Sequence, residues 1–288
     1  MNKYLVSSPL NMVMVTLVAS LFTASTANAA CVIKMVYKDG GKEPLIAKKP
    51  KHDGVYFDLY TAAAQRIGCS LEISRLPKKR LHVKLAEGTL DFYPGASFSK
   101  KRANYLYYIP NGLDTGEYGV TNLSVPDLKS YDDLKTQNIA WLMELGSSKV
   151  ELAKELGIKA QERTHQDLEI VSKFIMRKPN SNYFYVADKE LVDYYPRKSG
   201  IKSLTEAGLK VHKECCGGDQ PMYMGFSRFS PHFKEEKNPS YDANQKLSPA
   251  NFPTIVNKNS VVHRLGMALA DLKKENKTAD IYQRWFFQ

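Results

Sequence analysis

Two serines and an arginine follow a short apolar segment in the first half of the chain. Ser97, Ser99 and Arg102 come directly after residues 90–93, which have the composition of a short strand. An arginine fork can hold both oxygens of a carboxylate, and serine hydroxyls can donate to its remaining lone pairs. The grouping therefore predicts a site for a small carboxylate, although serine-rich turns with a basic residue also occur on ordinary surface loops.

The segments around this turn alternate between strand and helix patterns. The predicted elements are a strand at 32–37, a helix at 57–67, a strand around 71–73, a helix ending at 88 and a strand at 90–93. Such a β-α-β-α-β unit indicates an α/β fold with a mostly parallel sheet, in which ligands bind at the carboxyl ends of the strands. The turn with Ser97 and Arg102 lies at one such end.

The same alternation begins again near residue 131, which predicts a second α/β lobe. A strand at 139–142 is followed by a helix at 149–156, and Ser147 and Ser148 lie just before that helix. A helix N-terminus attracts anions, but serine at a helix start is also an ordinary cap. Both explanations of the two serines stay open at this point.

A further strand, predicted at 183–188, ends in a carboxylate. Asp188 should face the same region as the serines, and its structural alternative is to cap the helix that follows. The chain then returns toward the first lobe through an extended segment at 221–228 and ends in an amphipathic helix whose apolar residues recur between 261 and 272.

The beginning of the chain has the pattern of an export signal. Residues 1–29 contain a basic Lys3, an apolar run at 12–22 and small residues leading to a cleavage point near Ala29. No later stretch approaches the roughly 20 apolar residues that a membrane helix needs. We expect a periplasmic protein, with a lipid anchor on Cys31 as the alternative.

The chain is strongly basic, with a net charge of +11 at pH 7. Exported proteins rarely meet nucleic acid, and the lysines are interspersed with acidic residues rather than massed in one run. The charge therefore favours an anionic ligand or an anionic envelope surface over nucleic acid as the partner. The other explanation is that the charge only keeps the protein soluble.

Four cysteines in an oxidising compartment allow three pairings. Cys31 begins the first predicted strand and Cys69 the second, so parallel pairing of these strands would bring the two together at one sheet edge. We expect a Cys31–Cys69 disulfide. Cys215 and Cys216 would then form a vicinal disulfide or remain thiols. No paired C-x-x-C spacing is present, so we do not expect a metal site. We also expect no cofactor.

In this order, the elements and motifs resemble the family-3 extracellular solute-binding proteins of polar amino-acid ABC transporters. The resemblance covers nearly all of the chain after the signal. Its main motifs are GVYFDL at 54–59, AEGTLD at 86–91, GASFSKKR at 95–102, GSS at 146–148 and IYQRWF at 281–286. It implies the type II periplasmic binding-protein fold, two α/β lobes joined by a two-strand hinge. Lobe 1 would comprise residues 30–121 and 222–288, and lobe 2 residues 122–221.

The resemblance also implies how a ligand is held. Arg102 would grip the α-carboxylate of the ligand, and Ser97 and Ser99 would line the same pocket. Ser147 and Ser148 would form a second carboxylate-binding turn, and Asp188 would hold the α-ammonium. A buried zwitterion needs both a cation and an anion to offset its desolvation. The residues at the matching positions are Arg102, Ser97, Ser99, Ser147, Ser148 and Asp188.

Two positions depart from the family pattern. Members often have an aromatic residue after the prolines that match Pro77 and Pro44, where this chain has Lys78 and Leu45. An aromatic clamp on the ligand is therefore not expected at these places. If Lys38 or Lys78 faces the cleft, an acidic or otherwise anionic ligand is favoured.

Together these features predict a monomeric periplasmic binding protein rather than an enzyme. It would capture a small carboxylate-bearing solute, an amino acid or a related anion, by cleft closure and present it to an ABC permease. Two alternatives stay open: a sensor that delivers its closed form to a signalling partner, and a dehydratase-like enzyme on the same fold. The sequence shows no nucleophile–base signature, and Glu144 and Asp188 are the nearest candidates for a cleft acid or base.

Overall fold

The protein is described by a computed structural model that covers Met1 and residues 31–163, 168–177 and 182–287. Apart from Met1, the predicted export signal, residues 1–29, lies outside the described residues. From residue 31 to the end, the chain forms a unit of its own. Within the described ranges, none of the helices is long and apolar enough to cross a membrane.

Strands and helices alternate in the first part of this unit, as predicted. The elements are β1 (Cys31–Lys38), α1 (Val55–Arg66), β2 (Cys69–Leu76), α2 (Lys78–Ala86), β3 (Phe92–Tyr93) and α3 (Lys100–Ala103). The apolar residues Leu59, Tyr60 and Ala63 recur at helical spacing along α1 and are fully buried. β1 pairs in parallel with both β2 and β3, so the β-α-β-α-β prediction is confirmed.

A long strand leads from this unit into the second set of elements. The elements that follow are β4 (Leu106–Asn122), α4 (Asp132–Thr136), β5 (Ala140–Glu144), α5 (Lys149–Glu155), β6 (Ala160–Arg163), α6 (Leu168–Arg177), β7 (Tyr183–Asp188), α7 (Lys189–Ser199) and β8 (Leu209–His212). β5 is flanked by β6 and β7, and both neighbours run parallel to it. The second α/β arrangement predicted from residue 131 onward is therefore present.

The last part of the chain returns to the first set of elements. It consists of β9 (Gly218–Ser227), β10 (Glu235–Lys237), β11 (Thr254–Val256), α8 (Val261–Lys274) and α9 (Lys277–Phe286). β9 is antiparallel to β3 and to β4, and α8 packs against α1 and β4. The predicted return segment and the terminal amphipathic helix are both confirmed.

In the described chain, nine strands join in one mixed sheet in the order β2-β1-β3-β9-β4-β7-β5-β6, with β8 also paired to β4, and β10 and β11 form a separate antiparallel pair. β4 and β9 connect the two halves of this sheet. Their register shifts between Pro110 and Asp114, and beyond the shift β4 also pairs with β7 and β8. These two strands match the predicted two-strand hinge.

Separate apolar cores lie in the two halves. The largest cluster packs β1, α1 and α8 around residues such as Met35, Leu59 and Leu265. Two smaller clusters cover the second half, one around Trp141 and Phe184 and the other on residues of β4, β5 and α6. Each half thus has an apolar interior of its own. The lobe boundaries at 121/122 and 221/222 remain a prediction.

The cysteines form two disulfides. Cys31 and Cys69 are register partners at the start of β1 and β2, with Cα atoms 4.6 Å apart, so the predicted bridge is confirmed. Of the two alternatives for Cys215 and Cys216, the structure has the vicinal disulfide.

The two disulfides should contribute unequally to stability. The Cys31–Cys69 bridge closes a loop with a sequence separation of 38, whereas the vicinal bridge closes almost none. We expect Cys31→Ala/Cys69→Ala to lower the free energy of unfolding by about 2–5 kcal/mol, because the unfolded chain regains loop entropy. Urea denaturation measures this, with Cys215→Ala/Cys216→Ala as the matched control. Equal losses in the two double variants would contradict the loop-entropy explanation.

Candidate functional site

A cleft of about 370 Å³ lies at the carboxyl ends of β1, β3, β5 and β7. These strand ends contribute Lys38, Tyr93, Glu144 and Asp188 to its lining. The location follows the rule for α/β folds, in which ligands bind beyond the carboxyl edge of the sheet. Its volume is typical of sites for small molecules.

Arg102 extends from α3 across the cleft to the turn that follows β5. Its side chain donates to the backbone carbonyl of Gly146 at 2.8 Å and to that of Ser97 at 3.4 Å. Arg102 is only 6% exposed and lines the cleft. The predicted carboxylate-gripping arginine and the predicted Gly-Ser-Ser turn therefore meet in one place.

The four predicted serines fall into two groups. Ser97, Ser147 and Ser148 line the cleft. Ser99 is absent from the described lining, and its hydroxyl accepts a hydrogen bond from the Arg102 backbone N–H at 3.2 Å as the N-cap of α3. Ser99 thus holds the short helix that carries Arg102. A direct ligand contact from any of the four remains a prediction.

Asp188 ends β7 and precedes α7, but its side chain makes no capping hydrogen bond. It forms an ion pair with Lys42 instead. Lys42 follows Gly41, which has a φ of +68° and lies so close to the backbone of Ala47 that a Cβ there would be 2.7 Å from its carbonyl carbon. Only glycine fits this tight loop, which brings Lys42 to the cleft.

Glu144 is held by two lysines from the opposite side of the cleft. The ammonium of Lys38 lies 3.0 Å from the Glu144 carboxylate and that of Lys78 lies 2.8 Å away. Burial opposes ionisation of Glu144, but the two lysines outweigh it and lower its pKa. Burial lowers the pKa of Lys78 to about 8; Glu144 counteracts this shift, whereas Lys38 and Arg102 add to it.

Glu117, on β4, is the third acidic residue inside the cleft. It is the register partner of Asp188 and lies 2.5 Å from the Lys149 ammonium at the start of α5. The Glu117 side chain is 7% exposed, and burial raises its pKa despite the nearby lysine. Glu144, Asp188 and Glu117 thus each have a lysine partner.

Aromatic side chains also line the cleft, but not at the two positions singled out by the sequence. Leu45 is fully buried in the first core. Tyr37 and Tyr93 stack with ring centroids 5.0 Å apart and an interplanar angle of 4°, and both line the cleft. Together with Trp141 they give the site apolar ring surface beside its charges.

Sequence reasoning missed Lys42, Lys149 and Glu117. The one signal for Lys42 is the Gly40-Gly41 pair directly after a strand, which marks a tight turn at a carboxyl end. Glu117 gives no local signal, because its position depends on the pairing of β4 with β7. The sequence did not decide whether Lys38 or Lys78 faces the cleft, and in the structure both line it.

The groups of this site can hold an anion by charge and hydrogen bonding. Across the described part of the chain, no cluster of three or more His, Cys, Asp and Glu residues could hold a metal ion. The guanidinium, the ammonium groups and the serine hydroxyls can all donate, and the acidic side chains of the described lining are each paired with a lysine.

The titration of Lys78 tests this electrostatic arrangement. We expect its pKa to lie near 8 and to fall further in Glu144→Gln, because the attraction that favours the charged ammonium is lost. NMR of ¹³C-labelled lysine side chains measures both values. Glu87→Gln is the control, because Glu87 pairs with Lys84 on the outer face of α2. It should leave the pKa of Lys78 unchanged. An unchanged or higher value in Glu144→Gln would contradict the assignment.

No protein-family model matches the sequence, and no curated protein matches it either. Solved structures do. An ancestral arginine-binding protein bound to arginine has a TM-score of 0.62 at 18% identity, over 88% of this chain and 98% of that one. An ancestral amino-acid-binding protein, a precursor of cyclohexadienyl dehydratase, has a TM-score of 0.61 at 16% identity, over 88% of this chain and 95% of that one.

The substrate-binding protein of an amino-acid ABC transporter has a TM-score of 0.61 at 15% identity, over 89% of this chain and 100% of that one. At such identities the likeness establishes the fold. The resemblance drawn from the sequence motifs is therefore confirmed at that level: the chain has the type II periplasmic binding-protein fold.

Proposed function

We propose that this protein is a periplasmic solute-binding protein that captures a small carboxylate-bearing solute in its cleft and presents it to an ABC importer. The observation that carries the proposal is Arg102. This buried guanidinium lines the cleft beside the turn with Ser147 and Ser148. Within the described residues it bonds to two backbone carbonyls and to the Tyr105 side chain, and it forms no ion pair with a carboxylate.

Cleft closure gives the proposed mechanism. The two sides of the cleft come from different halves of the sheet, which β4 and β9 connect. A ligand that bridges Arg102 and the Gly146 turn would stabilise the closed arrangement over an open one, since its binding energy is available only when both sides reach it. A membrane partner can then distinguish the loaded protein by its shape.

The charges favour binding over catalysis. A cleft acid or base must exchange a proton during the reaction. Glu144 is held by two ammonium groups and Asp188 by one, so both candidates from the sequence are engaged in ion pairs. An importer and a signalling receptor would use the same closed form, and we propose the importer because the fold is shared with a transporter's binding protein.

Replacement of Arg102 tests the proposal. A thermal-shift screen of amino acids, dicarboxylates and other small anions identifies a probe, because a compound that binds only the folded state raises the Tm. We expect Arg102→Ala to weaken the best carboxylate probe at least tenfold by calorimetry, since a charged hydrogen bond contributes about 1.5–3 kcal/mol.

Arg102→Lys keeps the charge but loses the fork, so it should bind with intermediate affinity. Arg66→Ala is the matched control, because Arg66 pairs with Glu275 on the outer surface. Unchanged affinity in Arg102→Ala, or no response to any carboxylate, would contradict the proposed function.

A further inference from the structure

We propose that Tyr105 and His82 are positioning residues, which hold the Arg102 guanidinium in the orientation needed to bind a ligand carboxylate. Neither residue belongs to the described lining of the cleft, so both would act through Arg102 and not by touching the ligand. The inference rests on the proposed function, because it concerns the same arginine, and it adds the side chains that orient this arginine.

The Tyr105 hydroxyl connects Arg102 to α2. It is hydrogen-bonded to the Arg102 side chain, and it lies 3.2 Å from Nδ1 of His82 on that helix. A guanidinium has donors only, so the tyrosine oxygen must accept from it. The hydroxyl proton is then free to point toward the histidine. The three side chains form a chain of hydrogen bonds that begins in the cleft and ends on α2.

His82 can be the acceptor at the end of this chain. Burial lowers its pKa well below the ordinary value, and the charges of Arg102 and Lys78 lower it further. The ring is therefore neutral near neutral pH, and with its proton on Nε2 it can accept at Nδ1. Nε2 is buried and has no hydrogen-bond partner within the described residues. The Nδ1 contact with Tyr105 therefore fixes the orientation of the ring.

The backbone of Tyr105 is held on both sides. Its N–H donates to the Arg102 carbonyl at 3.0 Å, and its own carbonyl accepts from the Arg228 N–H at 2.9 Å. The His82 ring lies behind Tyr93, which lines the cleft, with the two ring centroids 5.8 Å apart. The hydroxyl that contacts Arg102 is thus fixed by the main chain and by packing, as a precise binding site requires.

The partners of Arg102 come from both halves of the sheet. Gly146 belongs to the turn after β5, whereas Ser97 and Tyr105 flank α3 in the first half. In the proposed open state, the bond to Gly146 would be broken and the contacts to Ser97 and Tyr105 would remain. The guanidinium would then be oriented before a ligand arrives, so that less side-chain entropy is lost on binding.

A purely structural role is the other explanation of Tyr105 and His82. Their polar groups are costly to bury unless they are hydrogen-bonded, and phenylalanine or leucine would fill similar space without that cost. The two explanations differ in one respect: a positioning residue matters only while Arg102 is present. This difference decides the experiment.

Tyr105→Phe removes only the hydroxyl. The probe is the tightest binder among L-glutamate, L-glutamine, L-arginine and succinate, measured by calorimetry. We expect Tyr105→Phe to weaken this probe about three- to tenfold, less than loss of the arginine itself, because the guanidinium remains but is no longer held. Tyr107→Phe is the matched control and should keep wild-type affinity, since its hydroxyl contacts the backbone of Val256.

The same change in an Arg102→Ala background separates positioning from structure. A residue that acts only through Arg102 has no effect once the arginine is gone, so the double variant should bind as Arg102→Ala does, within about twofold. An undiminished loss in this background, or wild-type affinity in Tyr105→Phe, would overturn the inference.

His82 is tested by a conservative pair of variants. His82→Asn keeps an oxygen acceptor close to the place of Nδ1 and should retain most of the affinity for the probe. His82→Leu removes the acceptor and should lose about as much as Tyr105→Phe, roughly three- to tenfold. Equal affinities in the two His82 variants would overturn the role of the histidine.

NMR of the Arg102 side chain gives a readout that needs no ligand. A guanidinium held by fixed acceptors rotates slowly about its Cζ–Nε bond, and ¹⁵N exchange spectra of the Nη groups measure the rate. We expect Tyr105→Phe to speed this rotation about tenfold and Tyr107→Phe to leave it unchanged. An unchanged rate in Tyr105→Phe would overturn the inference, even where Arg102→Ala binds too weakly for the double variant to be compared.

The outcomes separate this inference from the proposed function. Weaker binding in Arg102→Ala with no loss in Tyr105→Phe would overturn the positioning role and leave the binding-protein proposal standing. No binding of any carboxylate would overturn both.

Discussion

Charge pairing across the cleft is the constraint on which the rest of this structure depends. Charges that leave water need partners, and here the partners come from opposite sides. Lys38, Lys42 and Lys78 come from the first set of elements, and Glu144 and Asp188 from the second. The ionic contacts therefore couple the two halves of the sheet. In the proposed opening of the cleft, the same groups would regain hydration, which would keep closure reversible.

The fold supplies the geometry that this pairing requires. Parallel strands deliver the ends of β1, β3, β5 and β7 to one edge, so short loops after them suffice to bring cations and acids together. β4 and β9 pass between the halves and carry Glu117 into the cleft, where its register with Asp188 sets two carboxylates side by side. Like charges at that spacing are tolerated because Lys42 and Lys149 neutralise them.

Much of the fold was predictable from local patterns, and the site only in part. Alternating periodicity fixed the β-α-β-α-β unit and placed Cys31 beside Cys69, and the turn after β3 identified Arg102. Lys42 lies in a loop without periodicity, and the pairing of Glu117 depends on a strand register that no short segment encodes. The sequence therefore predicted a carboxylate grip but not that Asp188 would already have a cationic partner.

A crystal structure of the protein with the carboxylate that most raises its Tm would test this account most directly. The account predicts a ligand carboxylate on the Arg102 guanidinium, beside the turn that holds Gly146 and Ser147. A ligand bound away from Arg102 would contradict it.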